Sequence, residues 1–560
     1  MTQLSRLNRP NFSLKDLGGW GYFLIFGLSF VIFLYVLAPP GIKCPDSFYH
    51  TKAALMIKEN GLIQSFPWTQ FTTYNDLFVD HHFGYHYLLI PFLSLPTPKN
   101  LDSFSAEIDP LIKAKLGTAV FAALVFLALF WFLCRLKVKA PLFWSLTALL
   151  ISPFLIRLSL TRAPSISIII LILGFYSIIK RKYPLLFVLS FFYVWVYGAW
   201  PLMLVAAVLY CLASAVKELI GQWPAIQNQT SKIKKLIFYI SHPARFIFSK
   251  TNFKLVFTCV LGLFAGLIIN PYFPKTLPFY WFQTIKIAIL NYQNQISVGI
   301  EWYPFGPGSL FINTLPILIF WIISLAWFIY SKKEQETQSW FFLFISIFFL
   351  FYTLKAQRNI EYFIPSAMFF SALNFSQIGK KINWSQIKNR FGELFRSTEN
   401  IFYFILIIFL IVLIGFFLLF YLNHSLKELR DSYANYSRPI NHLQMASFWL
   451  KNNTQPGEII FQGNWDIFPE LFYFNTNNYY INGLDQTFMY EKDKGLYEIW
   501  LNLISGKTDP DKTGSIIKEK FRAGHILLDK KNKNFGRLLE KSKSLGKVYE
   551  DDEAIIYKIK

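Results

Sequence analysis

The sequence predicts a polytopic α-helical membrane protein with a C-terminal extracytoplasmic α/β domain. Three observations lead there. Of 560 residues, 54% are hydrophobic, 19% aromatic and only 16% charged, whereas a soluble chain carries charge at about a quarter of its positions. Apolar runs near the roughly 20 residues that cross a hydrocarbon core recur as far as Tyr421. Beyond Leu422 the pattern changes to short apolar strands and amphipathic helices.

The runs give eleven spanning helices, at roughly 18–39, 109–134, 140–159, 164–179, 183–198, 201–217, 254–273, 308–330, 339–354, 360–377 and 400–422. The first is a retained anchor, because no small-residue cleavage site follows it. The stretch 183–217 is read as a tight helical pair, broken by Gly198 and Pro201. One long helix there would invert everything downstream.

The net charge of +22 is not a nucleic-acid footprint. Residues 424–560 hold 20 Lys and Arg against 18 Asp and Glu, while residues 1–423 hold 35 against 15. The excess sits in short loops, among them "RLKVK", "KRK", Lys217 to Lys254 and Lys380 to Arg396. That is the positive-inside pattern, so these loops are cytoplasmic, as is the N-terminus with Arg6, Arg9 and Lys15. An odd helix count then places 424–560 outside. The expected location is the plasma membrane, multi-pass. The four cysteines, Cys44, Cys134, Cys211 and Cys259, lie singly and offer no C-x-x-C spacing for zinc or redox work.

Two domains follow, 1–423 in the membrane and 424–560 outside. The membrane part carries two long outer loops, 40–108 and 274–307, and a short outer turn, "KAQRNIEY", at 355–362. Long loops with structure of their own on one face usually carry function. In the outer domain "NHLQMASFWLKNN" reads as an amphipathic helix, and "GEIIFQ", "NYYING", "HILLDK" and "EAIIYKIK" as strands. Helices at 513–522 and 533–543 lie between them.

The candidate site residues lie on that outer face. Asp46 opens a helix over 46–60 after Pro45, and is either its N-cap or a carboxylate fixed at the interface. In "VDHHFGYHY", His82 and His86 are four apart and would share a helical face. With Asp80 or Asp46 they make a divalent-metal site or a hydrogen-bonded polar cluster. Glu301 is the only acid between 219 and 333, either a solvated loop charge or a site residue. Arg358 starts a spanning helix from the outer side. Its fork suits phosphate oxygens, unless it only snorkels to headgroups. Arg157 and Arg162 in "IRLSLTRAPS" share that option. Trp465-Asp466 ends a strand before a helix, where Asp466 is a cap or a site residue.

The order of these parts resembles the GT-C superfamily of polyprenyl-phosphate-dependent glycosyltransferases, above all oligosaccharyltransferase catalytic subunits. An Asp sits in a large first outer loop, a Glu in a later one, an Arg at a following outer turn, and a Trp-Asp pair behind a strand of the outer domain. "ENGLIQSFPW" resembles the segment after the family's first acid. "GEIIFQGNWDIFPELFYFNTNNYYINGLD" resembles the region of its Trp-Trp-Asp-Tyr-Gly motif.

The resemblance implies a GT-C-like fold and a sugar donor on polyprenyl phosphate or pyrophosphate. It implies Asp46 as the catalytic carboxylate. Arg358, Arg162, Glu301, His50, His82, Trp465 and Asp466 become substrate-binding residues. It also implies a divalent cation, Mg or Mn, with Asp46, Asp80, His81 and Glu301 as candidate ligands. The partners would be that donor, membrane lipids, and a protein, lipid or glycan acceptor; nucleic acid is not expected.

The chain departs from the family in three places. The motif is reduced to Asn464-Trp465-Asp466-Ile467-Phe468, "LTRAPSISIII" lacks the family's second-loop acids, and there are two fewer spanning helices. Two other classes fit the composition: a lipid-linked glycan transporter or flippase, and a non-catalytic GT-C-like subunit. A transporter would place ionisable groups at mid-membrane and often shows inverted repeats; here the acids cluster at outer ends and no repeat is found.

Overall fold

The computed structural model describes residues 14–98, 101–227, 249–381 and 398–560. Arg6, Arg9, most of the Lys217–Lys254 loop and the 382–397 segment with Arg390 and Arg396 lie outside the described residues. Each of the eleven apolar runs is helical, but they are not alike. Seven helices among the described residues are long and apolar enough to cross a membrane. They become eight if Pro141–Leu150 and Ser152–Leu158, bent by 89°, form one span.

The count of eleven is therefore not reached by length and composition, and burial supplies a physical reason. Pro164–Ile179 and Tyr183–Val196 are short. Ile360–Lys381 carries Glu361, Ser366, Ser371 and Asn374, all buried. A helix surrounded by other helices does not need the uniform apolar surface that lipid demands.

The helix expected over 140–159 is broken. Ile151 has an extended backbone that ends one segment and starts the next, and Pro153 sits in the first turn of the second, where its missing N–H could not continue the first helix. The turn brings Arg157 and Arg162 to the cavity described below. The stretch 183–217 is two helices, Tyr183–Val196 and Pro201–Gln227. Helix Lys250–Ile268 packs tightly on the first of them. A Cβ at Gly262 or Gly266 would meet the carbonyl oxygens of Phe187 or Phe191 at 2.6 and 2.5 Å, so this Gly-x-x-x-Gly pair sets the close approach.

The last helix, Thr398–Tyr436, is 39 residues long, about 58 Å at 1.5 Å per residue, and continues past its apolar run. It leads into the outer domain. There β2 (Arg438–Pro439) pairs antiparallel with β1 (Gly41–Ile42), the residues that follow the first helix. The two ends of the helical bundle are thus stapled together. A Cβ at Gly41 would lie 2.5 Å from that of Ser437, so only glycine allows the contact.

The outer domain is a five-stranded sheet of order β4-β3-β5-β7-β6. Its strands are β3 (Ile459–Gln462), β4 (Tyr479–Tyr480), β5 (Ala523–Asp529), β6 (Leu545–Glu550) and β7 (Ala554–Ile559). β3 runs parallel to β4 and β5; β7 is antiparallel to β5 and β6. All the predicted strands are present. β6 escaped prediction because it is an edge strand whose residues are largely exposed, so it lacks the apolar alternation of a covered strand.

The 40–108 segment is docked on this domain. Helix Asp46–Asn60 packs on helix Phe468–Phe474 through Phe48 against Tyr473 and Tyr49 against Phe472. Gln70 and Phe71 donate backbone hydrogen bonds to the carbonyls of Tyr480 and Ile481 at 2.9 and 3.0 Å. A cavity of 1640 Å³ remains where these loops, the helix ends beside them and the sheet domain meet.

Candidate functional site

Four separate turns aim charged side chains into this cavity. Asp46 is the first residue of its helix. Its side chain makes no cap bond, because the helix start is met by the Cys44 and Pro45 carbonyls, which accept the Ser47 and Phe48 N–H groups. The capping alternative is therefore wrong. The carboxylate instead faces Arg162 at 3.4 Å and is 29% exposed.

Glu301 sits in the 3₁₀ turn Ile300–Trp302. Arg358 sits in another, Gln357–Asn359. Gln357 ties the two turns together, donating its backbone N–H to Tyr303 and its side-chain amide to Ile300.

Glu301 is the hub. Arg157 Nη1 donates to Oε2 at 2.5 Å and Arg162 Nη1 to the same oxygen at 2.9 Å. Arg162 Nη2 reaches Oε1 at 3.2 Å, and Arg358 Nη1 lies 2.9 Å from it. Arg157 also donates through Nε to Glu361 at 2.7 Å. Arg358 stacks over Trp302 at 4.2 Å and donates to the Tyr197 hydroxyl at 2.6 Å. Three guanidiniums thus face three carboxylates, Asp46, Glu301 and Glu361. Arg157 Nη2 is buried without a partner, so a donor is left over for an incoming oxygen.

Two of the carboxylates that line the cavity, Asp46 and Glu301, are driven apart electrostatically. Burial pushes Asp46 up, and Arg162 offsets this only in part. Burial also acts to raise Glu301, but Arg162, Arg358 and Arg157 outweigh it and hold the group well below the usual carboxylate range. Glu301 stays ionised, while Asp46 is the better proton acceptor.

His50 and His82 border the same cavity. His82 flanks the start of helix Phe83–Leu93, with His86 inside it and their rings 6.3 Å apart. The shared-face expectation gives way to a buried polar cluster. Asp80 Oδ2 lies 2.7 Å from His86 Nδ1, Asp80 Oδ1 accepts the His82 N–H at 3.1 Å, and His86 Nε2 lies 2.9 Å from His50 Nδ1. His81 packs its ring on His82 at 3.8 Å and on Phe279 at 5.2 Å, with Nδ1 3.3 Å from the Tyr74 hydroxyl.

The expected metal ligands Asp46, Asp80, His81 and Glu301 therefore do not fit a divalent cation. Glu301 is enclosed by guanidiniums and Arg162 also faces Asp46, while both Asp80 oxygens are engaged. Among the described residues no three His, Cys, Asp or Glu side chains are grouped to hold a metal ion.

Trp465 and Asp466 also border the cavity, but Asp466 is no cap. Arg438 of β2 binds its carboxylate at 2.5 Å and reaches the buried Glu470 at 2.6 Å. Sequence reasoning did not single out Tyr197, Trp302, Glu361, Arg438 or Asp485 as site residues. Glu361, three positions after Arg358, was the one with a usable signal: an acid inside a spanning run needs a partner.

No family model and no curated protein matches the sequence. Solved structures do match. Oligosaccharyltransferase AglB from Archaeoglobus fulgidus, in complex with an inhibitory peptide and a dolichol-phosphate, aligns over 98% of this chain and 75% of its own. The TM-score is 0.59 at 12% identity. The apo form of the oligosaccharyltransferase from the same organism covers 96% and 74%, with TM-score 0.58 at 13% identity. ArnT from Cupriavidus metallidurans, bound to undecaprenyl phosphate, covers 96% and 98%, with TM-score 0.51 at 13% identity. At these identities the likeness is one of architecture: the chain shares the fold of these oligosaccharyltransferase and ArnT structures.

Proposed function

We propose that the protein is an integral-membrane glycosyltransferase acting at the extracytoplasmic face. It moves a sugar or oligosaccharide from polyprenyl phosphate or pyrophosphate to an acceptor, with inversion. The observation that carries this reading is the meeting of Asp46, Arg162 and Arg358 in one cavity at the outer helix ends. Structures of this fold bound to a dolichol-phosphate and to undecaprenyl phosphate support the donor class. The reading keeps eleven spans, a cytoplasmic N-terminus and a plasma-membrane location.

The acceptor attacks the anomeric carbon as the carbon–oxygen bond to phosphate breaks. Asp46 orients the acceptor and takes its proton; positioned bases contribute about 10²–10⁴-fold. Arg358, Arg162 and Arg157 face the charge that grows on the departing phosphate. Arg157 brings its unpartnered Nη2. Glu301 keeps the guanidiniums in place. Trp465 and Asp466 border the acceptor side, and His82 lines the wall beside His50.

The decisive experiment incubates purified protein with a radiolabelled polyprenyl-phosphate hexose and a panel of peptide, lipid and glycan acceptors. Transfer of label, with inverted anomeric configuration in the product, is expected. Movement of intact donor across a liposome membrane without cleavage would instead establish the flippase reading.

A further inference from the structure

One turn along the helix from Asp46, the cavity changes chemistry. Asp80, His86 and His50 are 1%, 0% and 2% exposed and form one hydrogen-bonded line. The line has a direction. An ionised carboxylate only accepts, so His86 must carry its hydrogen on Nδ1. A neutral His86 then offers a lone pair on Nε2, which obliges His50 to donate from Nδ1. His50 is left with a lone pair on Nε2. No protein group is hydrogen-bonded to that nitrogen among the described residues, and His50 borders the cavity.

The neighbours add weight. His82 packs edge-on against His50 at 4.9 Å and Tyr85 at 5.5 Å. The buried His82 Nδ1 and Tyr85 hydroxyl have no partner. Buried polar atoms without partners are uncommon and call for a ligand or water. Burial above all keeps His50 well below the usual imidazole range and therefore neutral.

We infer that His50 Nε2 is a fixed hydrogen-bond acceptor for a hydroxyl group of the bound substrate, its polarity set from behind by His86 and Asp80. Residues four apart on a helix have Cβ atoms about 5–6 Å from each other, so this hydroxyl lies within a sugar ring's reach of Asp46. The cavity is then divided: guanidiniums receive the phosphate at one wall, and the histidine end receives a neutral donor and rejects anions. His50 touches the substrate, whereas His86 and Asp80 are positioning residues. The inference rests on the glycosyl-transfer reading for the identity of the substrate, but not for the polarity of the line.

The test has two arms. Nitrogen-15 spectra of histidine-labelled protein in detergent, assigned by single substitutions, should show His50 and His86 both neutral and protonated on Nδ1. Asp80→Asn can donate its amide to His86 Nδ1, which should move both protons to the Nε2 positions. Protonation of His50 Nε2 in the native protein, or both nitrogens protonated on His86, overturns the inference.

In the second arm, kinetics with the polyprenyl-phosphate hexose turned over by the native protein should show a rise in KM of roughly 10- to 100-fold in Asp80→Asn, with kcat changed much less. A set of singly deoxygenated sugars should contain one whose penalty in the native protein disappears in Asp80→Asn. Unaltered KM in a variant whose tautomers have switched overturns the recognition role. If Asp80→Asn does not fold, His50→Gln replaces it, with the same deoxy-sugar comparison. Absence of any transfer by the native protein defeats the glycosyl-transfer reading, while the spectra still decide the polarity.

Discussion

Replacing Glu301 with glutamine keeps its shape and removes its charge. The structure says how much should follow. Two guanidinium nitrogens bind Oε2 at 2.5 and 2.9 Å, and two more lie 3.2 and 2.9 Å from Oε1. At an effective dielectric of about 20, each unit pair near 4 Å is worth about 4 kcal/mol in gross attraction. Three such pairs cannot simply be added, because Arg157 keeps Glu361, Arg162 keeps Asp46, and Glu301 is 20% exposed. Removing one partner from a buried ion pair typically costs about 3–5 kcal/mol, the magnitude expected for Glu301→Gln.

The assay is thermal unfolding in detergent, followed by tryptophan fluorescence, with and without polyprenyl phosphate. The variant should melt well below the native protein. Added polyprenyl phosphate should stabilise the variant more, since the freed arginines are left one negative charge short and an anion that binds only the folded state raises its stability. An unchanged melting temperature would refute the hub role. Equal stabilisation of both proteins would refute the claim that those arginines receive phosphate.

Three further predictions concern single residues. Asp46→Asn should lower turnover by about 10²–10⁴-fold without unfolding the protein; full turnover would remove Asp46 as the base. Folding raises the Asp46 pKa, so ionising it costs stability as pH rises through the window between its ordinary and its raised value. Asp46→Asn should therefore melt no lower than the native protein at neutral pH, and native turnover should fall as pH drops through that raised value. Arg358→Ala removes a guanidinium facing the phosphate and its stacking on Trp302. It should cost about 10²–10³-fold in kcat, measured with the lipid-linked donor, and an unaltered donor dependence counts against its role. Arg438→Ala strands the fully buried Glu470, at a cost of about 3–5 kcal/mol, visible as faster proteolysis of the outer domain.

What the sequence could and could not reveal follows from the range of each interaction. Helices and strands are local, so periodicity found every long apolar helix and four strands of the C-terminal sheet. The bend at Pro153 was missed because the apolar run is unbroken across it, although Pro within such a run marks a probable break. The site is non-local. Arg157 and Glu361 are 204 residues apart, and Asp80 and His50 are joined only through His86.

Sequence order identified Asp46, Glu301 and Arg358 as members of one face but not what each one meets. It therefore allowed Glu301 and Asp46 to be metal ligands. Three arginines converging on one carboxylate cannot be read from spacing. A site built from matched guanidiniums and carboxylates already holds its charge balance, and a divalent cation entering it would have to displace arginines from Glu301. The counterpart in sequence is that "LTRAPSISIII" holds no acid, and its arginine, Arg162, is the residue that bridges Asp46 and Glu301.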